Sequence, residues 1–417
     1  MTTSEIHKSK TSETLSAAVR HSAVAFEEAA ELLDLEPWIV QRLRHPVDES
    51  TAYLQITRDS GEAVCVPFVS VHHNQMSGCT VGSLSFTPGL QLRDCQSMAM
   101  ERTWQSALLG LYLGGASYGL VCDPAECRER ELIGMVAPLA QQLKRGRDPA
   151  VLLPGRGCFR EFMARLYTAN PKSRNVVVTG KPECMGGLDP DLFAAEGIAA
   201  LISLALHHAG KASIGASVAI QGFGTLGQAV AKRLVREGMK VIALSDNSGG
   251  VYRGDGLVVH DITTRFAQEQ VLFGYAEAEH ISRARLMKLD ADVLVLTSGS
   301  NELHESNCSG VMAGLIVEAD CDAITEAARD FLVKKGAVVA PCFLATCGTL
   351  LASHFEVHTT QILDSSEELL DRCYGIVGQV VERVLRFGTE NECSLEQAAY
   401  RLAIEAAANY IRICGLQ

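Results

Sequence analysis

The alternation of hydrophobic and polar positions changes character near residue 190. Before that point, residues 51–71 alternate apolar and polar side chains in the manner of β-strands, and residues 94–113 carry apolar side chains at helical spacing. After it, short apolar runs alternate with amphipathic stretches, which is the rhythm of strands and helices in a parallel sheet. The pattern therefore predicts two α/β domains of different construction, followed by C-terminal helices.

The segment from residue 216 to residue 246 carries the most specific chemical signal. An apolar run is followed by Gly222, Gly224 and Gly227 in a G-x-G-x-x-G spacing, then by an amphipathic stretch and a second apolar run that ends at Asp246. In this order the glycines permit a tight turn, a close approach of backbone N–H groups to a pyrophosphate, and close packing of helix on strand. The segment predicts a Rossmann-type, doubly wound, dinucleotide-binding domain.

We expect this segment to bind NAD rather than NADP, because the carboxylate of Asp246 accepts hydrogen bonds from a ribose and repels a 2′-phosphate. The N-terminus of the following helix faces the phosphate charge. The predicted cofactor residues are Gly222, Gly224, Thr225, Leu226, Gly227 and Asp246. The alternative is a glycine turn in an α/β fold that binds nothing.

A chain of 417 residues is too long for one compact core. We expect a disordered tail over residues 1–20, a first α/β domain over residues 21–185 completed by C-terminal helices of residues 355–417, and the dinucleotide-binding domain over residues 186–354. The predicted fold class is α/β. The apolar alternation of residues 51–71, in a sheet with one face covered by its own domain, predicts an oligomer.

Charge and composition exclude several kinds of partner. The formal net charge of −12 argues against nucleic acid or an anionic membrane as a general partner. No apolar run reaches the length needed to span a bilayer, and the N-terminus lacks the apolar core of a signal peptide, so we expect a cytoplasmic protein. The fourteen cysteines include no C-x-x-C pair. We expect them to be reduced, small buried residues rather than metal ligands.

Several separated motifs, in one order along the chain, resemble the glutamate/leucine/phenylalanine/valine dehydrogenase family. They are Leu113-Gly-Gly115, Thr179-Gly-Lys-Pro182, Val218 to Gly224, Ile316-Val-Glu318 and Phe343-Leu-Ala345. The resemblance implies two domains around a cleft, of which the first is a substrate-type and oligomerisation domain that binds an amino acid. It implies that hydride leaves the α-carbon for the nicotinamide as the amine becomes an imine and then an oxo acid.

The residues that the resemblance implies for this chemistry are replaced. The family's glycine-flanked catalytic lysine falls on Ser117, the lysine that holds the α-carboxylate falls on Gln105, and the aspartate that shuttles the amine proton falls on Gly155. The side-chain reader falls on Val81, which suits a branched-chain or aromatic amino acid, and Ser353 lies at the family's side-chain-contacting serine. Since one acid/base group contributes about 10²–10⁴ in rate, oxidative deamination is expected to be nearly abolished.

The cofactor side is partly altered as well. The family's cofactor-contacting threonine falls on Glu196, and its two asparagines fall on Cys321 and Thr346. The predicted site therefore keeps fewer of the family's contacts to the nicotinamide half of the dinucleotide than to the adenine half.

Two functional hypotheses remain. In the first, the chain is a non-catalytic regulatory or structural subunit, as a homo-oligomer or a hetero-oligomer with an active paralogue. In the second, it is an active NAD-dependent oxidoreductase that acts on an amino acid with a rewired site, where Ser117, Tyr118 or a histidine (His72 or His73) takes a new role. An alignment slip that hides an orthodox dehydrogenase is a third, smaller possibility.

Overall fold

The computed structural model describes residues 22–58, 60–145, 149–169, 176–299, 301–321, 323–358 and 365–415. The predicted disordered tail of residues 1–20 lies outside this part of the chain. The chain divides into two compact units. The first comprises Met1–Asp189, Ala352–Ser366 and Tyr400–Gln417, and the second comprises Pro190–Leu351 and Glu367–Ala399.

The first unit is built on one six-stranded sheet. Its strands are β1 (Asp48–Thr57), β2 (Ala63–His72), β3 (Thr80–Phe86), β4 (Gly114–Leu120), β5 (Ala150–Pro154) and β6 (Val176–Val178). Its helices are α1 (residues 22–32), α2 (Pro37–Arg44), α3 (Leu92–Leu108), α4 (Glu129–Leu143) and α5 (Arg160–Ala169). The strand order is β1-β2-β4-β3-β5-β6, in which β4, β3, β5 and β6 are parallel and β1 and β2 are antiparallel to their neighbours.

The two faces of this sheet bury different kinds of side chain. Alternate residues of β3, β4 and β5, among them Leu84, Tyr118 and Leu152, form an apolar core with α4 and α5. The opposite face packs against α3, where the apolar cluster is small and includes Cys95 and Ala99. Because side chains alternate between the faces of a strand, β3 and β4 present their polar and glycine positions to α3.

Gly114 and Gly115, which belong to a motif of the family resemblance, lie inside β4 and not in a turn. A Cβ added at Gly115 would collide with the carbonyl oxygen of Ala99 and lie 2.6 Å from the Thr103 hydroxyl oxygen of α3. The sequence pattern marks a close approach of helix to strand here, which requires glycine for the same steric reason that a turn does. The helix predicted over residues 94–113 accordingly ends at Leu108.

The second unit contains a seven-stranded sheet. Its strands are β7 (Ser217–Gln221), β8 (Lys240–Asp246), β9 (Gly249–Tyr252), β10 (Glu279–Ile281), β11 (Val293–Leu296), β12 (Leu315–Glu318) and β13 (Val338–Ala340). Its helices are α6 (Pro190–His208), α7 (Thr225–Arg236), α8 (Val259–Glu269), α9 (Arg283–Leu286), α10 (Glu326–Lys334) and α11 (Cys342–Ala345). The C-terminal helices are α12 (Cys347–His358), α13 (Ser366–Glu390) and α14 (Leu395–Cys414).

The strand order β10-β9-β8-β7-β11-β12-β13 makes this sheet doubly wound. The strands from β8 to β13 in this order are parallel, and β9 and β10 extend the sheet in antiparallel fashion. The chain moves from β7 to β8 on one side and later to β11 on the other, so β7 lies at the topological switch point. The predicted Rossmann-type architecture, with β7 inside the sheet, is confirmed.

Two expectations about helices differ from the structure. By length and composition, the 19-residue helix α6 is apolar enough to cross a membrane, although most of it is buried within the second unit. The sequence also predicts that residues 355–417 complete the first domain, whereas Glu367–Ala399 belongs to the second unit. There the thiol of Cys373 on α13 contacts the carbonyl oxygen of Phe193 on α6, and Val377 packs against Gly197.

Candidate functional site

Ser117 lies on the face of β4 that packs against α3, and its side chain is buried. It is 2% exposed and interacts with the Cys95 thiol of α3. Burial raises the pKa of Cys95 to about 12, so this thiol is neutral at physiological pH. The position at which the family resemblance implies a lysine therefore holds a neutral hydroxyl beside a neutral thiol.

Gln105, at the second implied lysine position, contacts a cation from its own helix. Arg102 Nη1 donates to Gln105 Oε1, and Arg102 Nη2 donates to the Ser83 hydroxyl at 2.7 Å. Ser83 is directly opposite Ser117 in the parallel pairing of β3 with β4. A guanidinium thus lies on this sheet face, but it comes from position 102 and not from position 105 or 117.

Gly155 follows β5 directly, and its backbone N–H donates to the Leu84 carbonyl of β3 at 2.8 Å. A Cβ added here would collide with the Ser85 hydroxyl oxygen and lie 2.9 Å from Ser83 Cβ. A carboxylate side chain at this position would require β3 to shift or the serines to be smaller. The residues around position 155 therefore pack closely against a glycine.

Ser83 lies beside the three positions at which the family resemblance implies charged side chains, and it is not among the residues predicted from the sequence. It pairs with Ser117, accepts from the arginine that contacts Gln105, and packs against Gly155. The available signal was its place two residues after Val81, since residues two apart share a strand face. Val81 itself is buried on β3, opposite Gly115.

Ser353, on α12, has a partner within the first unit. Its hydroxyl oxygen accepts from the Thr179 hydroxyl at 2.8 Å, and both side chains are buried. Thr179 in turn is fixed to β5, because its backbone N–H donates to the Leu152 carbonyl at 2.8 Å. This bond ties the start of the Thr179-Gly-Lys-Pro182 motif to α12.

The candidate substitute groups serve the core of the first unit. Tyr118 lies on the face of β4 opposite to Ser117, within the apolar core, and its hydroxyl contacts His72 Nε2 at 3.3 Å. Both ring nitrogens of His73 are bonded, Nε2 to the Leu43 carbonyl at 2.7 Å and Nδ1 to the Thr103 hydroxyl at 2.9 Å. Burial lowers the pKa of His73 to about 4, so this ring is neutral and structural.

The glycine turn of the second unit lies at the carboxyl end of β7, as predicted. Gly222 has a φ of +98° and a Cβ there would lie 2.6 Å from the Thr297 hydroxyl oxygen, while a Cβ at Gly227 would collide with the Gly222 carbonyl. These two glycines are required by the turn itself. Thr225 and Leu226 form the first turn of α7, directly after the N-cap Gly224.

Gly224 differs from its two neighbours in the motif. No atom lies within 4 Å of a Cβ built at Gly224, and its φ of −72° is open to any residue. The folded chain therefore has no steric requirement for glycine at this position. The motif predicts glycine here for a different reason: a side chain at position 224 would block the approach of a pyrophosphate. The turn and the N-terminus of α7 thus fit a dinucleotide.

Asp246 ends β8 at the predicted place, but its carboxylate is already engaged. Oδ1 accepts from the backbone N–H and hydroxyl of Ser248, at 2.7 and 2.5 Å, and Oδ2 accepts from the Leu272 N–H at 2.8 Å. A carboxylate offers about four acceptor sites, so a ribose hydroxyl must use the remaining one or displace Ser248. Weak dinucleotide binding is the consequence that we expect.

Glu196, at the position where the resemblance implies a cofactor-contacting threonine, already forms an ion pair with α7. Arg233 Nε donates to Glu196 Oε2 at 2.5 Å, and burial raises the pKa of this glutamate. Thr346 is also engaged, since its hydroxyl donates to the Cys342 carbonyl at 2.8 Å. Among the described residues, no group of three or more His, Cys, Asp or Glu is arranged to hold a metal ion.

The Gly224→Val variant is expected to fold normally and to bind NAD at least about tenfold more weakly than the unmodified protein, because the added side chain occupies the path of the pyrophosphate. Calorimetric titration with NAD measures the affinity. Gly375→Val is the matched control, because Gly375 on α13 also has no atom within 4 Å of a built Cβ. Equal affinity in the Gly224→Val and Gly375→Val proteins would show that the motif is only a turn.

A doubly wound sheet with a glycine turn at its switch point, joined in one chain to a second α/β unit, defines a class of two-domain dinucleotide-dependent proteins. Two family models match this chain. That of the Glutamate/Leucine/Phenylalanine/Valine dehydrogenases covers residues 186–415, and that of their dimerisation domain covers residues 47–164. The chain belongs to this dehydrogenase family, whose members use NAD or NADP.

Relatives of known name are similar along most of the chain. The glutamate dehydrogenase of Thermotoga maritima is 27% identical over 92% of this chain and 94% of its own. The NADP-specific glutamate dehydrogenase of Synechocystis is 28% identical over 86% of this chain and 88% of its own. A hetero-hexameric glutamate dehydrogenase from Thermus thermophilus, solved in a leucine-bound form, matches with a TM-score of 0.87 and 27% identity over 96% of this chain and 98% of that chain.

Proposed function

We propose that this chain is a non-catalytic subunit of an amino-acid dehydrogenase, and that it binds NAD weakly and assembles with an active paralogue. The observation that carries the proposal is the neutral, buried pair of Ser117 and Cys95 at the implied position of the catalytic lysine. A hydroxyl cannot supply the cation that stabilises charge on the attacking or leaving water oxygen. The raised pKa of Cys95 removes the neighbouring thiol as an acid/base group at physiological pH.

The surroundings of Ser83 support the same conclusion. Position 155 has no carboxylate, and its neighbours leave no room for one. Each missing acid/base group costs about 10²–10⁴ in rate, and an α-carboxylate that loses a charge-assisted contact binds about 1.5–3 kcal/mol more weakly. The named relatives are glutamate dehydrogenases. This chain is proposed to lack the activity that their names state.

Assembly is supported by the shape of the first sheet and by the comparison. Strand β1 is a ten-residue edge strand with mostly exposed side chains, among them Tyr53, which is 64% exposed. Long exposed edge strands pair readily with another chain. The similar Thermus thermophilus structure is a hetero-hexamer bound to leucine. By analogy, we infer that this chain contributes a subunit that supports or regulates a catalytic one.

NAD is the proposed cofactor because Asp246 lies at the end of β8. Its carboxylate disfavours a 2′-phosphate, and neither Asn247 nor Ser248 supplies a cation to pair with one. Specificity for NADP in the Synechocystis relative shows that family membership alone does not decide between the two dinucleotides.

A second candidate function is favoured by Arg102. Its guanidinium donates to Ser83 and Gln105, so a positive charge lies on this sheet face, and a carboxylate ligand there would pair with it by displacing one of these bonds. On this reading the chain is an active NAD-dependent oxidoreductase with a rewired site, in which the arginine holds the amino acid. An arginine does not act as a general base, so the deprotonating group would still have to come from elsewhere.

Two purified samples test this function: the chain alone, and the natural assembly that contains it. Alone, it is expected to be oligomeric by light scattering at micromolar concentration and to reduce no NAD with amino acids. An assembly recovered through a tag on this chain should contain a lysine-bearing family member and should reduce NAD. Activity of the isolated chain that is lost in Arg102→Leu but kept in Arg93→Leu, an exposed position on the same helix, would establish the second candidate instead.

A further inference from the structure

Two cysteines of the second unit lie with their sulfur atoms in contact. Cys321 Sγ and Cys342 Sγ are 3.1 Å apart, and no disulfide joins them. A disulfide has an S–S distance of about 2.05 Å, so the two sulfurs are about 1 Å from bonding distance. Cys321 follows β12 and Cys342 begins α11 after β13, and these strands are parallel neighbours.

We propose that Cys321 and Cys342 form a reversible redox pair, which oxidation converts to a disulfide at the carboxyl edge of the dinucleotide-binding sheet. This is a modification site on the same sheet edge as the glycine turn after β7. Its formation does not depend on whether the chain is catalytic.

The chemistry requires an external disulfide of low molecular weight, such as oxidised glutathione. The thiolate of one cysteine attacks a sulfur of that disulfide, and one equivalent of small thiol leaves as a mixed disulfide forms. The second cysteine then attacks the mixed disulfide and releases the second equivalent of small thiol. Two electrons pass from the protein to the oxidant, and the protons of both cysteines leave with the two small thiols or enter solvent.

Exposure assigns an order to the two steps. Cys321 is partly exposed, whereas Cys342 is 9% exposed. The external disulfide therefore reaches Cys321 first, and Cys342 acts as the resolving cysteine.

The pair is coupled to the cofactor edge through backbone. The Cys342 carbonyl accepts a hydrogen bond from the Thr346 hydroxyl at 2.8 Å. A shift of Cys342 toward Cys321 therefore also moves Thr346. The family resemblance places position 346 beside the nicotinamide. The carboxyl edge of a doubly wound sheet is where its ligands bind. Oxidised and reduced protein are therefore expected to differ in dinucleotide affinity.

A second pair of neighbouring thiols provides an internal comparison. Cys122 and Cys127 contact each other in the first unit, but burial raises the pKa of Cys122 to about 12 and also raises the pKa of Cys127. Since the thiolate is the reactive form, burial disfavours oxidation of Cys122 and Cys127.

The first test counts thiols after exposure of the native protein to oxidised glutathione, followed by denaturation and mapping of linked peptides by mass spectrometry. The unmodified protein is expected to lose two of its fourteen thiols, with the Cys321 and Cys342 peptides joined and both thiols recovered with dithiothreitol. Cys321→Ser and Cys342→Ser should form no intramolecular disulfide. The control Cys184→Ser, which removes an exposed cysteine, should still lose two thiols.

The second test compares NAD affinity in the oxidised and reduced proteins. We expect at least about a fivefold difference in the unmodified protein and none in Cys321→Ser. An unmodified protein that keeps all its thiols, or that joins other cysteines instead, would overturn the redox pair. A disulfide between Cys321 and Cys342 with unchanged NAD affinity would overturn its coupling to the cofactor edge.

Discussion

The Ser117→Lys variant is expected to remain at least about 10³-fold less active in amino-acid oxidation than a lysine-bearing family member. The new ammonium would supply one of three missing groups, while Gln105 would still fail to hold the α-carboxylate and Gly155 would still fail to move the amine proton. Residues that act as a unit are strongly non-additive, so one restored member restores little. Initial rates of NAD reduction with glutamate and with the apolar amino acids that Val81 suits measure the effect.

The surroundings of positions 105 and 155 also predict that a charged side chain introduced there restores little activity. Gln105→Lys places an ammonium against the Arg102 guanidinium, which now donates to the glutamine oxygen, and like charges at this distance repel. Gly155→Asp brings a Cβ within 2.9 Å of Ser83 Cβ. The triple variant is therefore expected to show a trace of activity at most. Adding Ser83→Gly and Arg102→Gln should raise that trace, because these changes remove the contact with Ser83 Cβ and the like charge at position 102.

The outcome that would contradict this reasoning is full activity in the single Ser117→Lys protein. Ala116→Ser is a suitable control, since Ala116 lies on the opposite face of β4 and its change tests whether alteration of the strand alone affects the rate. Circular dichroism of each variant establishes that the fold is retained.

Glu356→Ala is expected to lower the free energy of unfolding of the first unit by about 3–5 kcal/mol. Glu356 on α12 is paired with the Lys181 ammonium and accepts from the backbone N–H groups of Gly180 and Leu188, at 2.8 and 3.0 Å. The lysine and glutamate side chains are 9% and 3% exposed. Removal of the carboxylate leaves a buried cation and two backbone donors without these partners.

Tryptophan fluorescence during urea unfolding measures this effect selectively, because Trp38 and Trp104 both belong to the first unit. Glu62→Gln, which breaks the exposed contact with Arg58, is the control and should change stability by less than about 1 kcal/mol. The double variant Lys181→Met with Glu356→Gln should recover most of the loss, since it keeps an acceptor and removes the buried charge. A loss below about 1 kcal/mol in Glu356→Ala would refute a supporting role for this pair.

Local features of the chain were enough to predict the second unit. The order of apolar run, glycine turn, amphipathic helix and acidic strand end is contiguous, and each step constrains the next. The structure accordingly has β7, α7 and β8 at the expected places, with Asp246 at the strand end. What the pattern could not predict was that Ser248 and Leu272 already occupy the carboxylate of Asp246, because Leu272 follows α8 and meets β8 only in the folded unit.

The contacts around Ser83 arise from the order of the strands in the sheet, which the sequence pattern does not predict. The positions of Ser117, Gln105 and Gly155 came from motif order, but their common neighbour follows from the non-sequential strand order β4-β3-β5. Arg102 lies three residues before Gln105 in the sequence, but only the folded structure shows that its guanidinium donates to the Ser83 hydroxyl. The Cys321 and Cys342 contact likewise arises from the pairing of β12 with β13.

The central claim, that this chain lacks dehydrogenase activity, is tested most directly by the initial rate of NAD reduction. The unmodified, purified protein is assayed with glutamate, leucine, valine and phenylalanine beside the glutamate dehydrogenase of Thermotoga maritima, and NAD binding is measured on the same preparation. We predict rates at least about 10³-fold below that relative with every amino acid. NAD reduction at a rate comparable to that of the relative, with any one of the four, would contradict the account.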